Sequence, residues 1–368
     1  MKYRIGIIGS GSISKSHTYG FDQFNELYPE YEVEKAVMCS RNVTIERAME
    51  LGWNEIETDW RKVVTRPDID VIDIVTYDHL HYDIAKMALE NGKRVICEKP
   101  LADTSEQALE LSKLSSEKNI PAAVCMNYRY IHAVRCIKHL VENGTLGEIR
   151  HIYGSFLMNW AVNSNSSSSM NWRLQDYYSR GGALGDLGTH IIDMCHYFGM
   201  EFSAIAGMNE VYRIDGKTTS NELSVFSARF SNHALGIFEF SRVSGGGTGM
   251  VIEIHGTKGN VKWEKHHLNT LKIHIPEHPE YHQGYTEISV TDILPMDYRF
   301  SHEFIQMDSY TLLFKDFFVN YNKFPTFEDG YKACKIVDAV LESEEFLLPF
   351  LERARRLCLV ELKEYSEK

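Results

Sequence analysis

Three short stretches of this chain carry side chains suited to one chemistry. Glu98-Lys99-Pro100 sets an ammonium beside a proline corner. Gly181-Gly182-Ala183-Leu184-Gly185-Asp186-Leu187-Gly188-Thr189-His190 sets a carboxylate four residues before an imidazole. Gly9-Ser10-Gly11-Ser12-Ile13-Ser14 is a glycine turn near the N-terminus. An imidazole that titrates near neutrality can accept a hydroxyl proton, and a nearby carboxylate can orient it. An ammonium stabilises the negative charge that develops on the same oxygen. A glycine turn before a helix presents free N–H groups to a dinucleotide pyrophosphate and lets the phosphates approach the backbone. Together the three predict hydride transfer between an alcohol carbon and a nicotinamide dinucleotide. Lys99, Asp186 and His190 are the catalytic candidates, and Gly9, Gly11, Ser12 and Ile13 the pyrophosphate contacts.

Each stretch has a plainer reading. The glycine triplet alone is a tight turn, but here it directly follows an apolar strand and precedes a helix. Lys99 could be a solvated strand-end lysine. Asp186 and His190, spaced i and i+4, share one face of a helix, and Gly181, Gly182, Gly185 and Gly188 are expected to keep the approach to that face open. The pair could also be half of a metal site, but no third ligand stands at a sensible spacing, and no metal is expected. A packed core histidine is the other alternative. His196 and His266-His267 lack the glycine context and read as structural or surface residues. Pro100 is a candidate for a cis peptide.

The second strand ends in Met38-Cys39-Ser40-Arg41, without the carboxylate that usually binds the adenosine ribose of NAD. Ser40 can hydrogen-bond a 2′-phosphate and Arg41 can pair with it. NADP is therefore favoured as cofactor, with NAD possible.

The elements that must position these groups follow from apolar periodicity. Tyr3–Ile8, Val33–Cys39, Val71–Thr76, Arg94–Cys97 and Ala122–Met126 read as strands. Helices are predicted from the glycine turn towards Leu27, over Val43–Leu51, over Leu80–Asn91 before Gly92, and over Ser105–Lys118. The alternation implies a parallel sheet with right-handed crossovers, a doubly wound Rossmann domain spanning residues 1–127. After the helix Ile131–Asn143 the pattern changes. Ile149–Phe156, Leu223–Phe230, Leu235–Ser241, Val251–His255 and Lys272–Ile275 alternate, with turns at Ser231-Asn232 and Gly256-Thr257-Lys258-Gly259. They predict a second α/β domain over residues 128–368 with a large, mainly antiparallel open sheet. Helices return at Tyr310–Asn322 and Gly330–Glu342. Asn163–Ser169 reads as a polar loop. The tail from Phe346 reads as an amphipathic helix with Arg353, Arg355 and Arg356 on a solvated face. An open sheet leaves one face to bury, which predicts a homodimer or homotetramer.

Bulk properties fit this picture. A chain of 368 residues is too long for one ordinary core. Its 39 Lys+Arg against 51 Asp+Glu give a net charge of −12, which disfavours nucleic acid and anionic membranes as partners. No apolar run approaches the roughly 20 residues of a membrane span, and the N-terminus reads as a first strand rather than a signal peptide. Seven scattered cysteines without paired spacing predict buried reduced thiols in a cytoplasmic protein.

Several motifs in fixed order resemble one family. Besides the stretches above they are Thr76-Tyr77-Asp78-His79-Leu80-His81, Asn127-Tyr128-Arg129, Trp172-Arg173 and Phe327-Glu328-Asp329-Gly330-Tyr331. The chain is similar to the glucose–fructose oxidoreductase/inositol dehydrogenase/MocA (Gfo/Idh/MocA) family up to about Ser343. The resemblance implies NAD(P)-dependent oxidation of a secondary alcohol on a sugar, inositol or related polyol. It implies that Lys99, Asp186 and His190 are catalytic. Thr76, His79, Glu98 and Asn127 match positions that touch the cofactor, and Trp172 and Arg173, with Lys99 and His190, those that line the substrate. Tyr77-Asp78 departs from the family's usual Pro-Asn. Two rival readings share the fold. Related NAD-dependent glycosidases share the fold but carry a segment different from Leu187-Gly188-Thr189-His190. A non-catalytic sugar or dinucleotide sensor is opposed by the intact Lys99, Asp186 and His190.

Overall fold

The computed structural model describes residues 1–162, 171–212, 218–247, 249–276, 284–294, 300, 304–320 and 323–343. The polar stretch Asn163–Ser169 and the tail from Phe346, with Arg353, Arg355, Arg356 and Cys358, lie outside them.

Six strands form the first sheet: β1 (Lys2–Ile8), β2 (Glu32–Cys39), β3 (Glu55–Glu57), β4 (Val71–Ile74), β5 (Arg94–Cys97) and β6 (Ala122–Val124). Their spatial order is β3-β2-β1-β4-β5-β6, and every adjacent pair is parallel. β4 is buried along its whole length, as a central parallel strand covered on both faces must be. The order reverses between β1 and β4. A crevice therefore opens at their C-terminal ends, where the glycine turn and the Thr76 loop emerge. β3 and the helix Trp60–Thr65 that follows were not expected. Glu55-Ile56-Glu57 is an edge strand too short and too polar to leave a periodic signal.

Eight strands form the second sheet: β7 (Ile149–Leu157), β8 (Phe202–Glu210), β9 (Leu223–Phe230), β10 (Leu235–Ser241), β11 (Gly249–Gly256), β12 (Asn260–Glu264), β13 (Thr270–His274) and β14 (Thr286–Ser289). Their order is β14-β13-β12-β11-β7-β10-β9-β8. All pairs are antiparallel except β7 and β10, which run parallel at the centre. The expected turns join β9 to β10 and β11 to β12. Strands β8, β12 and β14 are additional to those predicted. One face buries Phe156, Phe226, Phe238, Met250, Ile252 and Trp263, while Met208, Leu235 and Ile237 remain exposed. The helix Thr189–Tyr197 covers the buried face so closely that a Cβ on Gly154 of β7 would lie 2.7 Å from Ile191.

The C-terminal helices return to the first sheet. In the helix Asp308–Phe318, Phe314 stacks on Phe21 of the first helix, Ser12–Leu27, at 4.3 Å between centroids. The Tyr19 hydroxyl donates to Asp308 at 2.7 Å. Val124 of β6 donates its N–H to Pro325 at 2.9 Å, just before the helix over residues 327–343. The six described cysteines are buried and form no bridge with one another.

Candidate active site

The glycine turn leaves β1 and enters the first helix. Gly9 has φ +120°, and a Cβ there would sit 2.3 Å from the Val75 carbonyl oxygen, so no side chain fits. Its N–H donates to Cys39 at 2.8 Å, which ties the turn to the end of β2. At Gly11, by contrast, an added Cβ would meet nothing within 4 Å. Helix Ser12–Leu27 begins there without a side-chain cap and without an acidic residue in its first turn. The open side of Gly11 and the positive end of the helix dipole thus make a cradle that fits a pyrophosphate. Ser12 is exposed and Ile13 half-buried beside it. Ser14, in the third small-residue position, is fully buried and donates its hydroxyl to Gly11 at 2.7 Å. Ser40 is half-buried and Arg41 exposed at the end of β2. No partner binds the Arg41 guanidinium among the described residues, and its charge is felt at His79 across the crevice. Thr76 lies half-buried at the end of β4, and Asn127 is buried and donates to the Ser309 hydroxyl at 3.0 Å.

The chemically interesting groups meet beside this crevice. β5 runs into Glu98 and the Lys99–Pro100 peptide, which is cis. The Lys99 ammonium donates to Asp186 twice, to the backbone carbonyl at 2.8 Å and to Oδ1 at 3.1 Å. The other carboxylate oxygen of Asp186 lies 3.3 Å from Arg173 Nε and 3.3 Å from Arg242 Nη2. Burial works to raise the Asp186 pKa, but Arg173, Lys99 and Arg242 outweigh it and hold the carboxyl well below the usual range.

His190 differs from expectation in two ways. Asp186 gives its acceptors to three cations, and no hydrogen bond joins it to His190. The reason is local. Leu184–Gly188 form one π-helical turn ahead of the helix Thr189–Tyr197, and the wider turn changes the phase between positions 186 and 190. The imidazole instead leans on the Tyr128 ring at 4.5 Å between centroids, with its Nδ1 buried and unpartnered. Its pKa lies well below the ordinary value, because burial and the charges of Lys99 and Lys265 outweigh the opposite pull of Asp186. The glycines also serve differently than expected. They are buried, and a Cβ on Gly182 would fall 2.2 Å from the Asn221 carbonyl oxygen. They permit tight packing of the segment rather than an open approach.

Trp172 and Arg173 stand at the rim, with the guanidinium 4.1 Å over the indole. Tyr77 packs on Trp172 at 4.7 Å, and His79 lies 5.3 Å from the Tyr178 ring, so the departure from Pro-Asn builds an aromatic wall. Burial pushes the His79 imidazole pKa down. Asp78 is buried and its pKa is raised by that burial. Glu98 turns inward. Its Oε1 accepts from Tyr310 at 3.0 Å and lies 3.2 Å from His17 Nε2.

Sequence reasoning missed His17, Arg242 and Lys265. His17 is fully buried, with Nδ1 2.9 Å from Asp73. Burial would lower its pKa, but Asp73 dominates and raises it well above the ordinary value. His17, Glu98 and Cys125 bring possible ligand atoms within 4.8 Å of one another, yet both ring nitrogens of His17 already face carboxylates. The available signal was the helix face: Ser14, His17, Thr18, Phe21 and Phe24 are buried at helical spacing. Arg129, which follows Asn127 in its motif and has no role of its own in the sequence reading, binds Asp193 and Asp329 and clasps the helices together.

Comparison with known proteins agrees with this architecture. A family described as "Oxidoreductase family, NAD-binding Rossmann fold" matches residues 3–125, and "GFO/IDH/MocA C-terminal domain" matches residues 134–262. The levoglucosan dehydrogenase of Pseudarthrobacter phenanthrenivorans is 30% identical over 383 residues, covering 92% of this chain and 95% of its own. A levoglucosan dehydrogenase structure in complex with NADH and levoglucosan superposes with a TM-score of 0.86 at 30% identity, over 94% of this chain and 98% of that one. The Bacillus subtilis scyllo-inositol 2-dehydrogenase (NADP(+)) is 28% identical over 206 residues, 56% of this chain and 54% of its own. With this fold, glycine cradle and ordered set of motifs, the chain belongs to the Gfo/Idh/MocA family of NAD(P)-dependent oxidoreductases.

Proposed function

We propose that the protein reversibly oxidises a secondary alcohol of a sugar, inositol or related polyol, with Lys99, Asp186 and His190 as the catalytic set. The observation that carries this reading is their convergence beside the crevice: Lys99 bound to Asp186, and His190 on the next turn. When bound, the nicotinamide supplies the hydride acceptor. Gly9, Gly11, Ser12 and Ile13 hold the pyrophosphate, while Thr76, His79, Glu98 and Asn127 border the rest of the cofactor. The neutral His190 imidazole takes the hydroxyl proton. The Lys99 ammonium holds the same oxygen and stabilises its charge. Asp186 keeps Lys99 aimed and its charge balanced. Trp172 and Arg173 shape the rim of the sugar pocket.

NADP is the preferred dinucleotide in this reading. It rests on Ser40 and on the exposed, unpartnered Arg41, whose fork suits a 2′-phosphate. The division at residue 127 into a cofactor domain and a substrate and oligomerisation domain is part of the same proposal. So is a homodimer or homotetramer formed through the sheet face that exposes Met208, Leu235 and Ile237. No helix among the described residues is long and apolar enough to cross a membrane, and a cytoplasmic site accords with the buried cysteines. The test is nicotinamide absorbance with both dinucleotides against a panel of sugars and polyols. Dinucleotide-dependent turnover of one of them is the expected result, and none on the whole panel would overturn the reading.

A further inference from the structure

Lys265 lies immediately after β12, where Val261 and Trp263 point to the buried face of the sheet. Strand periodicity puts position 265 next on that face, and its N–H donates to the Met250 carbonyl at 2.8 Å, which extends the ladder by one residue. The row of apolar side chains thus ends in an ammonium. Its Nζ stands 5.0 Å from the Phe156 ring centroid and 5.6 Å from that of Tyr128, the ring on which His190 leans. Among the described residues no oxygen accepts a hydrogen bond from it. The Asp186 carboxylate is taken by Lys99, Arg173 and Arg242. Aromatic faces attract a cation but accept no conventional hydrogen bond, so a half-buried ammonium here lacks a partner that water or a ligand must supply. Burial and the charge of Lys99 both push its pKa below the ordinary lysine value, as expected of two ammonium groups facing one space.

We propose that Lys265 is a specificity-determining residue of this pocket, whose ammonium donates to a substrate oxygen on a carbon other than the one oxidised. The inference rests on the sugar or polyol reading above. Lys99 and His190 already serve the reacting oxygen, so a third donor nearby is useful only to a substrate with several oxygens. That requirement selects polyhydroxylated molecules over simple alcohols, and among them those with an oxygen at the position Lys265 reaches. Such discrimination is strong, because an analogue lacking that oxygen leaves a charged donor unpaired.

The experiment compares the wild type with Lys265→Met, which keeps the stem packed on Tyr128 and Phe156 and removes the donor. Steady-state rates at saturating dinucleotide are measured with one active sugar and its series of single deoxy analogues. KM for the parent sugar should rise roughly 10- to 100-fold, the worth of a hydrogen bond to a charged group, while kcat falls only a few-fold. One deoxy analogue should show the same loss with the wild type, and the variant should no longer distinguish it from the parent. Lys265→Arg should recover part of the loss. Unchanged dinucleotide affinity by fluorescence shows that the variant is folded. A KM within twofold of wild type, or a variant that still discriminates every deoxy analogue, overturns the inference and leaves the dehydrogenase reading intact. Calorimetric binding of the same sugars separates the two further. A wild type that binds a sugar Lys265→Met does not bind, yet oxidises none, supports Lys265 and sinks the dehydrogenase reading. A wild type that neither binds nor oxidises any sugar overturns both.

Discussion

Two buried charge clusters flank the Glu98-Lys99 corner, and they are built in opposite senses. In the first, His17 is a single cation between the carboxylates of Asp73 and Glu98, with the Tyr310 hydroxyl completing the set. In the second, Asp186 is the carboxylate that Lys99, Arg173 and Arg242 all reach, with buried Asp78 near the same cations and the charge of Lys265 felt at His190. In the first cluster Phe314 packs edge-on at 5.4 Å from the imidazole, and His17 and Asp73 are fully buried. The second has a surplus of positive charge and an unpartnered ring nitrogen on His190. Buried charges that satisfy one another lock the strand ends and helix in one arrangement. Buried charges left in excess are held for something that arrives from outside. The Glu98-Lys99 pair joins the two, since one residue belongs to each.

The comparison breaks if both clusters respond alike to removal of their cation. Lys99→Ala is expected to lower turnover by about 10²–10⁴-fold or more, while dinucleotide binding and the melting temperature change little. Steady-state rates, fluorescence titration and a thermal melt read all three, and unchanged turnover would remove Lys99 from the mechanism. His17→Ala should act in the other direction. It strands two buried carboxylates, which costs on the order of 3–5 kcal/mol of stability, while turnover of the folded fraction drops far less than for Lys99→Ala. Denaturant unfolding decides. A stability loss below about 1 kcal/mol, small against that cost, would mean the first cluster is not a structural lock.

A smaller effect tests the cofactor end. Arg41→Ala should raise the Michaelis constant for NADP roughly tenfold and leave that for NAD nearly unchanged, as the loss of one charged pair on the 2′-phosphate requires. A wild type that strongly prefers NAD would show that Ser40 and Arg41 serve another purpose.

The two clusters also differ in how far they could be read from the chain. Lys99, Asp186 and His190 are conspicuous because Lys99 precedes Pro100, Asp186 follows Gly185 and His190 ends the same glycine-rich segment, two residues after Gly188. The parallel sheet was legible from runs such as Val71-Ile72-Asp73-Ile74, whose burial on both faces erases alternation. Asp73 itself passed unnoticed within that run, since its partner His17 lies 56 positions away and only folding brings them together. Arg242 and Lys265 were missed for a shared reason. Each follows the last residue of a strand and continues its buried face: Phe238, Phe240, Arg242 on one, Val261, Trp263, Lys265 on the other. The apolar signal of each strand ends one step before its cation. Carrying the periodicity one step further picks out both cations. The π-turn before His190 has no such signal, because i, i+4 spacing fits an α-helix equally well.

The finest test of the comparison is the pH dependence of alcohol oxidation. Only a neutral imidazole can accept the hydroxyl proton, so the rate should climb as pH rises through the folded pKa of His190. Burial, Lys99 and Lys265 depress that pKa well below its ordinary value, and Asp186 alone among its charged neighbours opposes them. The climb should therefore lie in the acid range, and the profile should be flat in this group around neutrality. Two substitutions move it in opposite directions. Asp186→Asn removes the opposing charge and shifts the climb to still lower pH, with a lower maximum rate because Lys99 loses its anchor. Lys265→Met removes one depressing charge and shifts it to higher pH by a fraction of a unit, the scale of a partly screened charge. The wild type and both variants would be assayed at saturating sugar and dinucleotide across the acid range. His190→Ala should abolish the climb and cost about 10²–10⁴-fold in rate. If the climb survives in His190→Ala, or if both charge variants move it the same way, His190 is not the proton acceptor and the excess positive charge around Asp186 serves binding alone.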